Sequence, residues 1–532
     1  MDIQCISYKE TGYFSKTVTD YLDNAPALEP FYTYRPNLDG FTQILKDRKV
    51  TANRELLVTV LNEQYDNIKN VDAGAVIPHE NIDALADENT FTVTTGHQLN
   101  IFTGPLYFIY KIVTAIKLAS QLGEHFPDKK FVPVYWMATE DHDFAEINYT
   151  NIGGKKVQWN LEAAGATGRL DTKTIREALN QYKGVLGIEG HGEELAQLVE
   201  TAYTKFNALA GATRYLVNAL FGKYGVVIID ADDSRLKKEF APIIEQDIIG
   251  RNSFKQIGQT IERLNQLHVP IQVNPREINF FYLTDGSRER IVFEDGRYQV
   301  LNTDTSFTED KLKAEIAAHP ERFSPNVAMR PVYQEYILPN LAYIGGGGEL
   351  VYWLELKSVF NFYRLTFPVL ILRNSGLVIR KDTAAKIRKM ELDAKQLFLD
   401  TESIKKNWVS AHTSHQLSLT DELRELSHIF EKIKLRIYKI DETLAPSTSA
   451  VEARLKHAMG NLEKKLMRAE KRKYTTSLTQ IENIKKELFP GNGLQERNEN
   501  FGLFYVKWGQ SFIDELIRNF QPLDFKFTVL SE

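Results

Sequence analysis

The 532-residue sequence predicts an α/β protein: a parallel sheet with a long antiparallel helical arm near the C-terminus. Three observations predict it. An apolar, β-prone run, Phe91–Thr95, is followed by a helical pattern and a second apolar run, Phe131–Met137. That order makes a parallel pair with a right-handed crossover. Further apolar runs, Tyr224–Asp230, Ala342–Gly345 and Phe367–Arg373, end in charged or glycine-rich sequence. Finally, Leu419, Leu423, Leu426, Phe430, Ile433, Ile437, Ile440 and Leu444 alternate steps of four and three, the a/d seam of a coiled coil.

Taken in order, residues 1–150 hold N-terminal helices and the first part of the core, with 1–90 mostly helical. A helix follows Gly104-Pro105, since proline suits a first turn and Leu106, Ile109, Tyr110, Val113 and Ile116 keep helical spacing. Residues 151–222 are polar with glycine joints and read as an inserted connecting segment, helical around 174–183 and 193–222. Residues 223–375 form the second part of the core, with a further insertion at about 260–325 and a helix at 349–364. The arm spans 376–490. Ala445–Ser449 should stop its first long helix and cap the next. The second carries Val451, Leu455, Ala458, Leu462, Leu466 and Ala469, then Tyr474 to Leu488, with a stutter at 458–466. Residues 491–532 return to the core.

Hydrophobic residues make up 43% of the chain, enough for a large core divided among about two to four domains. The net charge of −5 argues against a general nucleic-acid binder, while leaving room for a local anion site. The single cysteine, Cys5, rules out an internal disulfide and fits a reducing compartment; it reads as a small packing residue or a reactive thiol. The N-terminus lacks the basic and apolar regions of a signal peptide, and no apolar stretch is long enough to span a bilayer. A cytoplasmic location is expected.

Ligands of open parallel sheets bind beyond the carboxyl ends of the strands, and four such ends stand out here. Thr94-Thr95-Gly96-His97-Gln98 precedes a helix: the glycine lets a ligand approach, and the helix start favours anions. The ordinary reading is a turn. Glu140-Asp141-His142-Asp143 would repel if buried without a cation. It is a candidate to hold Mg²⁺, act as a base or bind an amine, or else a solvated loop capped by Asp143. Gly345-Gly346-Gly347-Gly348-Glu349 offers consecutive N–H groups to an anion, but without the Lys-Ser/Thr of a Walker A loop. Arg373 ends the last strand, and Asn326, Arg330 and Gln334 lie upstream. Guanidinium at these places suits carboxylate or phosphate, or a plain salt bridge. No G-x-S-x-G, H-E-x-x-H or C-x-x-C motif is present.

These motifs, in order, resemble the bacillithiol-biosynthesis cysteine-adding enzymes, the BshC family. The resemblance is carried by Thr95-Gly96-His97-Gln98 with Thr103–Tyr107 and Tyr110-Lys111; Val132–Trp136 with Glu140–Asp143 and Glu146–Asn148; Met329–Pro331 with Gln334–Tyr336 and Leu338-Pro339; Ala342–Gly346 with Glu349 and Tyr352; and Gln495–Arg497 with Asn500. Two positions depart from the family pattern, which usually has Gln where His97 stands and Gly-Gly-Pro where Gly345–Gly347 stand.

The resemblance implies a Rossmann-like core shaped like class I aminoacyl-tRNA synthetases, connecting insertions, a coiled-coil arm and a homodimer formed through it. It implies a ligase that joins cysteine to glucosaminyl-malate, with ATP and Mg²⁺ as the expected activator. On it, the expected catalytic residues are Asp141, His142, Asp143 and His97. Gln98, Tyr107, Lys111, Asn326, Arg330, Gln334, Glu349 and Arg373 are expected to bind substrate, with Arg330, Lys111 and Arg373 as candidates for the two malate carboxylates. Gly96, Gly345–Gly348, Gln495 and Arg497 are expected at the nucleotide, and Glu140 with Asp141 at any metal. Two other classes stay open: an inactive binding or scaffold protein, and a metal-dependent hydrolase built on the acidic cluster.

Overall fold

A computed structural model describes all 532 residues, and they divide into two compact units. The first holds Met1–Leu377 and Gly493–Leu530; the second holds Val378–Asn492 and Ser531–Glu532.

The first unit is built on a five-stranded sheet. Its strands are β1 (Thr90–His97), β2 (Lys130–Met137), β3 (Val227–Asp230), β4 (Asn340–Gly345) and β5 (Val369–Leu372). Their spatial order is β5-β4-β1-β2-β3, and every pairing is parallel. The chain therefore starts at the centre and winds outward in both directions, a Rossmann-like arrangement. Its order reverses between β1 and β4, the point at which such sheets open a crevice.

Helix α1 (Tyr107–His125) makes the crossover from β1 to β2. It is apolar on nearly every side because the core surrounds it: Ala115, Leu118 and Leu122 pack on Phe91, Val93, Phe131, Ile344 and Ile371 of the sheet. The central strand also buries two threonines. Thr92 and Thr94 donate to Asn340 Oδ1 at 3.0 and 2.8 Å, and Asn340 Nδ2 donates to Glu335 Oε1 at 2.5 Å. Arg48, also buried, lies 3.4 Å from Glu335 and donates to the Leu338 carbonyl at 2.9 Å. All the side-chain groups of this buried network except Arg48 Nε have a partner.

Several expectations are corrected. The N-terminal region holds a strand, Asp2–Ser7, besides its helices, and Cys5 on it is exposed rather than packed. The helix expected over 193–222 is two helices, Gly192–Lys205 and Leu209–Phe221. Backbone groups at the break bond elsewhere: Leu209 N–H to the Leu170 carbonyl, and Thr172 N–H to that of Asn207. A hairpin of Tyr149–Ile152 and Lys155–Gln158 precedes them. The helix expected over 349–364 is likewise two, Gly347–Leu354 and Lys357–Phe362. Between β3 and β4 the chain builds an antiparallel sheet from Phe280–Leu283, Arg288–Glu294, Arg297–Val300, Ser306–Phe307 and Phe323–Pro325.

The second unit is helical: Thr401–His412, Thr420–Ile440, Ala445–Lys471 and Thr475–Leu488. Its limbs are antiparallel, as the pairs Lys434–Glu452, Thr413–Glu470 and Lys405–Glu482 show by running in opposite directions. The first long helix stops at Ile440, earlier than expected. Asp441 turns the chain by accepting from Thr443 N–H at 2.9 Å. Pro446 then sits in the first turn of the next helix, which already contains Ser447–Ser449. The return helix is interrupted at Arg472–Tyr474, beyond the stutter. No helix of the chain is long and apolar enough to cross a membrane.

The Arg48–Glu335 pair lies under the sheet with no access to water. Replacing Arg48 by alanine strands a buried carboxylate and should cost about 3–5 kcal/mol. A chemical-denaturation midpoint close to the unaltered protein's would show that the pair does not anchor this part of the core.

Candidate active site

The carboxyl ends of β1, β2, β4 and β5 open into a cavity of about 710 Å³, the size of a small-molecule site. All of its walls belong to the first unit. Seven cations line it (Lys111, Arg276, Arg288, Arg290, Arg330, Arg373 and Arg497) against three carboxylates, Glu140, Asp141 and Glu349. An acidic chain has therefore concentrated positive charge in one place.

At the junction of β1 and β4, Lys111 Nζ lies 2.5 Å from Glu349 Oε2 and donates to the Gly96 carbonyl at 2.8 Å. Glu349 also accepts from Tyr343 OH at 2.7 Å and from Gly346 N–H at 2.8 Å. Burial opposes its charge, yet Lys111 and these donors hold its carboxyl at about 2. The helix Gly347–Leu354 starts here, and Gly346, Gly347 and Gly348 face the cavity with its N-terminus. Gly346 sits at the cap and spends its N–H on Glu349. At Gly96 a Cβ would come 3.5 Å from both Arg330 Nη1 and Tyr343 OH, an ordinary contact distance.

Arg330 opens the helix Arg330–Ile337 and lies near the rings of Trp136 and Tyr343. Its Nη1 donates to Gln334 Oε1 at 3.0 Å, and no carboxylate stands within ion-pair distance. Arg373 is different: Nη2 donates to the buried Glu496 Oε1 at 2.7 Å, and its guanidinium lies 5.1 Å from the Tyr107 ring. His97 has Nε2 shielded from water and without a partner. Burial first, then Lys111, pushes its imidazole down to about 3, so the ring is neutral at pH 7.

The acidic run after β2 is dispersed. Glu140 pairs with the buried Lys237, while Asp141 Oδ2 accepts from Gln98 Nε2 at 2.7 Å. Gln98 also donates to Glu146 at 2.8 Å. No group of three His, Cys, Asp or Glu side chains is arranged to hold a metal ion. Glu140 and Asp141 thus do not fit a protein-built Mg²⁺ cage.

Of the residues expected at the site, the cavity wall contains Gly96, His97, Gln98, Tyr107, Lys111, Glu140, Asp141, Asn326, Arg330, Gly346, Gly347, Gly348, Glu349, Arg373 and Arg497. Others lie off it. Gln334 and Gln495 are buried outside the lining. Gly345 lies within β4, and its carbonyl accepts from Arg373 N–H. His142 and Asp143 are exposed beyond the wall. His142 Nδ1 lies 2.9 Å from Arg288 Nη1, so Nδ1 accepts and the ring proton sits on Nε2. Asp143 stands at the start of the short helix Phe144–Ile147 but makes no side-chain cap. Sequence reasoning missed Arg276, Arg288, Arg290 and Glu496. The alternation Arg288-Glu289-Arg290 was the one signal available, since strand period puts both arginines on one face.

Residues 1–374 match the family described as "Bacillithiol biosynthesis BshC, N-terminal Rossmann-like domain", and residues 376–532 match its "C-terminal coiled-coil domain". A Flavobacterium johnsoniae protein named "Putative cysteine ligase BshC" is 44% identical over the full length of both chains. A Flavobacterium psychrophilum protein of the same name is 42% identical, covering 100% of this chain and 99% of its own. A solved Campylobacter jejuni chain titled "putative arginyl t-RNA synthetase" aligns over 88% of this chain and 98% of its own at 10% identity, with a TM-score of 0.22, a likeness too loose to bear on the site.

The folded value of His97 lies below its unfolded value of about 6.5. Its contribution to stability is therefore complete above pH 6.5 and lost as pH falls from 6.5 toward 3. His97→Gln should flatten the fall in melting temperature across that window. An unchanged pH profile would mean that the ring is charged in the fold.

Proposed function

The chain belongs to the BshC family, and from that premise we propose that it is an ATP-dependent ligase joining the carboxylate of cysteine to the amine of glucosaminyl-malate. The supporting observation is Arg330: a guanidinium in the cavity wall, at the sheet's switch point, with no carboxylate to neutralise it. Such a group is complementary to an anion brought in by a ligand.

Amide formation from a free carboxylate needs activation, because oxide is a poor leaving group. ATP supplies it by transferring an adenylyl group to a carboxylate oxygen with release of pyrophosphate, or a phosphoryl group with release of ADP. The amine then attacks the carbonyl carbon, loses a proton, and expels AMP or phosphate. In this reading the Gly346–Gly348 helix start and the Gly96 corner take phosphate, and Arg330 steadies the charge that builds on the acyl oxygens. Asp141, oriented by Gln98, receives the cysteine ammonium. Any Mg²⁺ would be held by the nucleotide rather than by a protein cage.

A homodimer through the arm belongs to the same reading. Ile440 is 81% exposed, Leu462 51% and Leu455 43%, although Ile440 lies on the predicted a/d seam of the first long helix, and Leu455 and Leu462 on the apolar pattern of the second. Hydrophobic seams left uncovered in one chain suit a second copy.

Product formation followed by mass spectrometry, omitting cysteine, glucosaminyl-malate or ATP in turn, tests the reaction. Product is expected only in the complete mixture; product without ATP would sink the activation step. Arg330→Gln should lower kcat by roughly 100-fold or more, and near-normal turnover would remove Arg330 from the mechanism. Ile440→Asp with Leu455→Asp should yield a monomer by light scattering, whereas a persistent dimer would place the interface elsewhere.

A further inference from the structure

Ion pairs account for only two of the seven cavity cations, Lys111 with Glu349 and Arg373 with Glu496. Three of the rest come from one piece of the molecule, the antiparallel sheet inserted between β3 and β4 and the loop that leads into it. Arg288 and Arg290 are two residues apart on one strand, so they share a face. Phe281 stands opposite Arg290 in the neighbouring strand, and the Arg288 guanidinium lies 4.0 Å from its ring centre. All three line the cavity, giving an apolar floor edged by two planar cations.

This wall is held rigidly. Arg288 donates to Ser324 Oγ at 3.0 Å, to the Pro325 carbonyl at 3.0 Å and to His142 Nδ1 at 2.9 Å, which leaves two of a guanidinium's five N–H groups for a ligand. The buried Asn279 fixes the loop of Arg276, accepting its N–H and donating to its carbonyl, both at 2.9 Å. The same Asn279 accepts from Asn326 Nδ2, tying a second cavity residue to the loop. The side chains of Arg276 and Arg290 make no hydrogen bond or ion pair within the chain.

We propose that Arg276, Arg288 and Arg290 form a second anion subsite, separate from Arg330, that receives the two carboxylates of the amine substrate's malyl group and selects for them. The proposal rests on the ligase reading for the identity of that substrate. Planar guanidinium forks spaced along a strand match a short dicarboxylate, each carboxylate taking a bidentate partner. The glycine-rich helix start is left for phosphate. The two malate carboxylates thus move from Lys111 and Arg373, whose charges are already paired, to cations that are not.

Arg276→Gln and Arg290→Gln test this, since neither side chain supports the fold. Calorimetry with the full chain would measure the affinities of L-malate and of ADP, and steady-state kinetics the KM of each substrate. Malate affinity should fall, and the KM for glucosaminyl-malate rise, by roughly tenfold or more. ADP affinity and the KM for cysteine and ATP should hold, with Arg290→Lys recovering part of the loss. Weakened ADP binding with malate unaffected would make the subsite one for phosphate and overturn the proposal. So would an unaltered chain that does not bind malate, or variants that bind both ligands normally. Malate binding lost in the variants of a chain that performs no ligation would uphold the subsite and overturn the ligase reading instead.

Discussion

The Lys111–Glu349 ion pair is the contact on which the site depends. It joins the crossover helix after β1 to the helix after β4, across the point where the strand order reverses. Without it, the buried Lys111 would carry an uncompensated charge, a costly arrangement, beside a half-buried glutamate in the cavity wall. With it, the Gly96 carbonyl, the Gly346 amide and the Tyr343 hydroxyl are drawn into one fixed network. Gly96 lines the crevice, and the start of the second helix faces it.

Neutralisation then sorts the remaining cations by role. Arg373 is bound to Glu496, in the C-terminal segment that returns to the first unit, and so helps fasten that segment beneath β5. Arg330 leans on neutral groups, Gln334 and Tyr343, and keeps its full charge toward the cavity. Gln334 in turn donates to Glu335, which faces Arg48. The free guanidinium at the site is thus positioned by a polar chain that runs back into the core. Rigid support of this kind lets a charge act on a ligand without first reorganising.

The sequence displayed the parts that local pattern controls. Strand ends are visible because apolar runs stop abruptly at Gly96, Glu140, Gly345 and Arg373, and the sheet does place its ligand-facing groups there. Lys111 and Arg330 were legible as cations near those ends. The partners of Lys111 and Arg373 were not, because Glu349 and Glu496 reach them through tertiary contacts. Gln334 looked like a site residue for the same reason that it supports one: it lies one turn beyond Arg330 on the same helix face. Arg276 and Arg290 were hidden in an insertion whose contact with the cavity has no local mark. The break at Phe206–Ala208 escaped notice because the loop at 170–172 takes up its backbone groups. The arm's heptads announced a seam without saying what covers it.

Activation of a carboxylate by ATP within this cavity is the central claim, and the fate of the carboxylate oxygen tests it directly. Cysteine labelled with oxygen-18 in its carboxylate would be ligated to glucosaminyl-malate by the purified chain. The account predicts that one labelled oxygen stays in the new amide and the other leaves on AMP or on inorganic phosphate. Label released only into water, with none on a nucleotide product or phosphate, would contradict it.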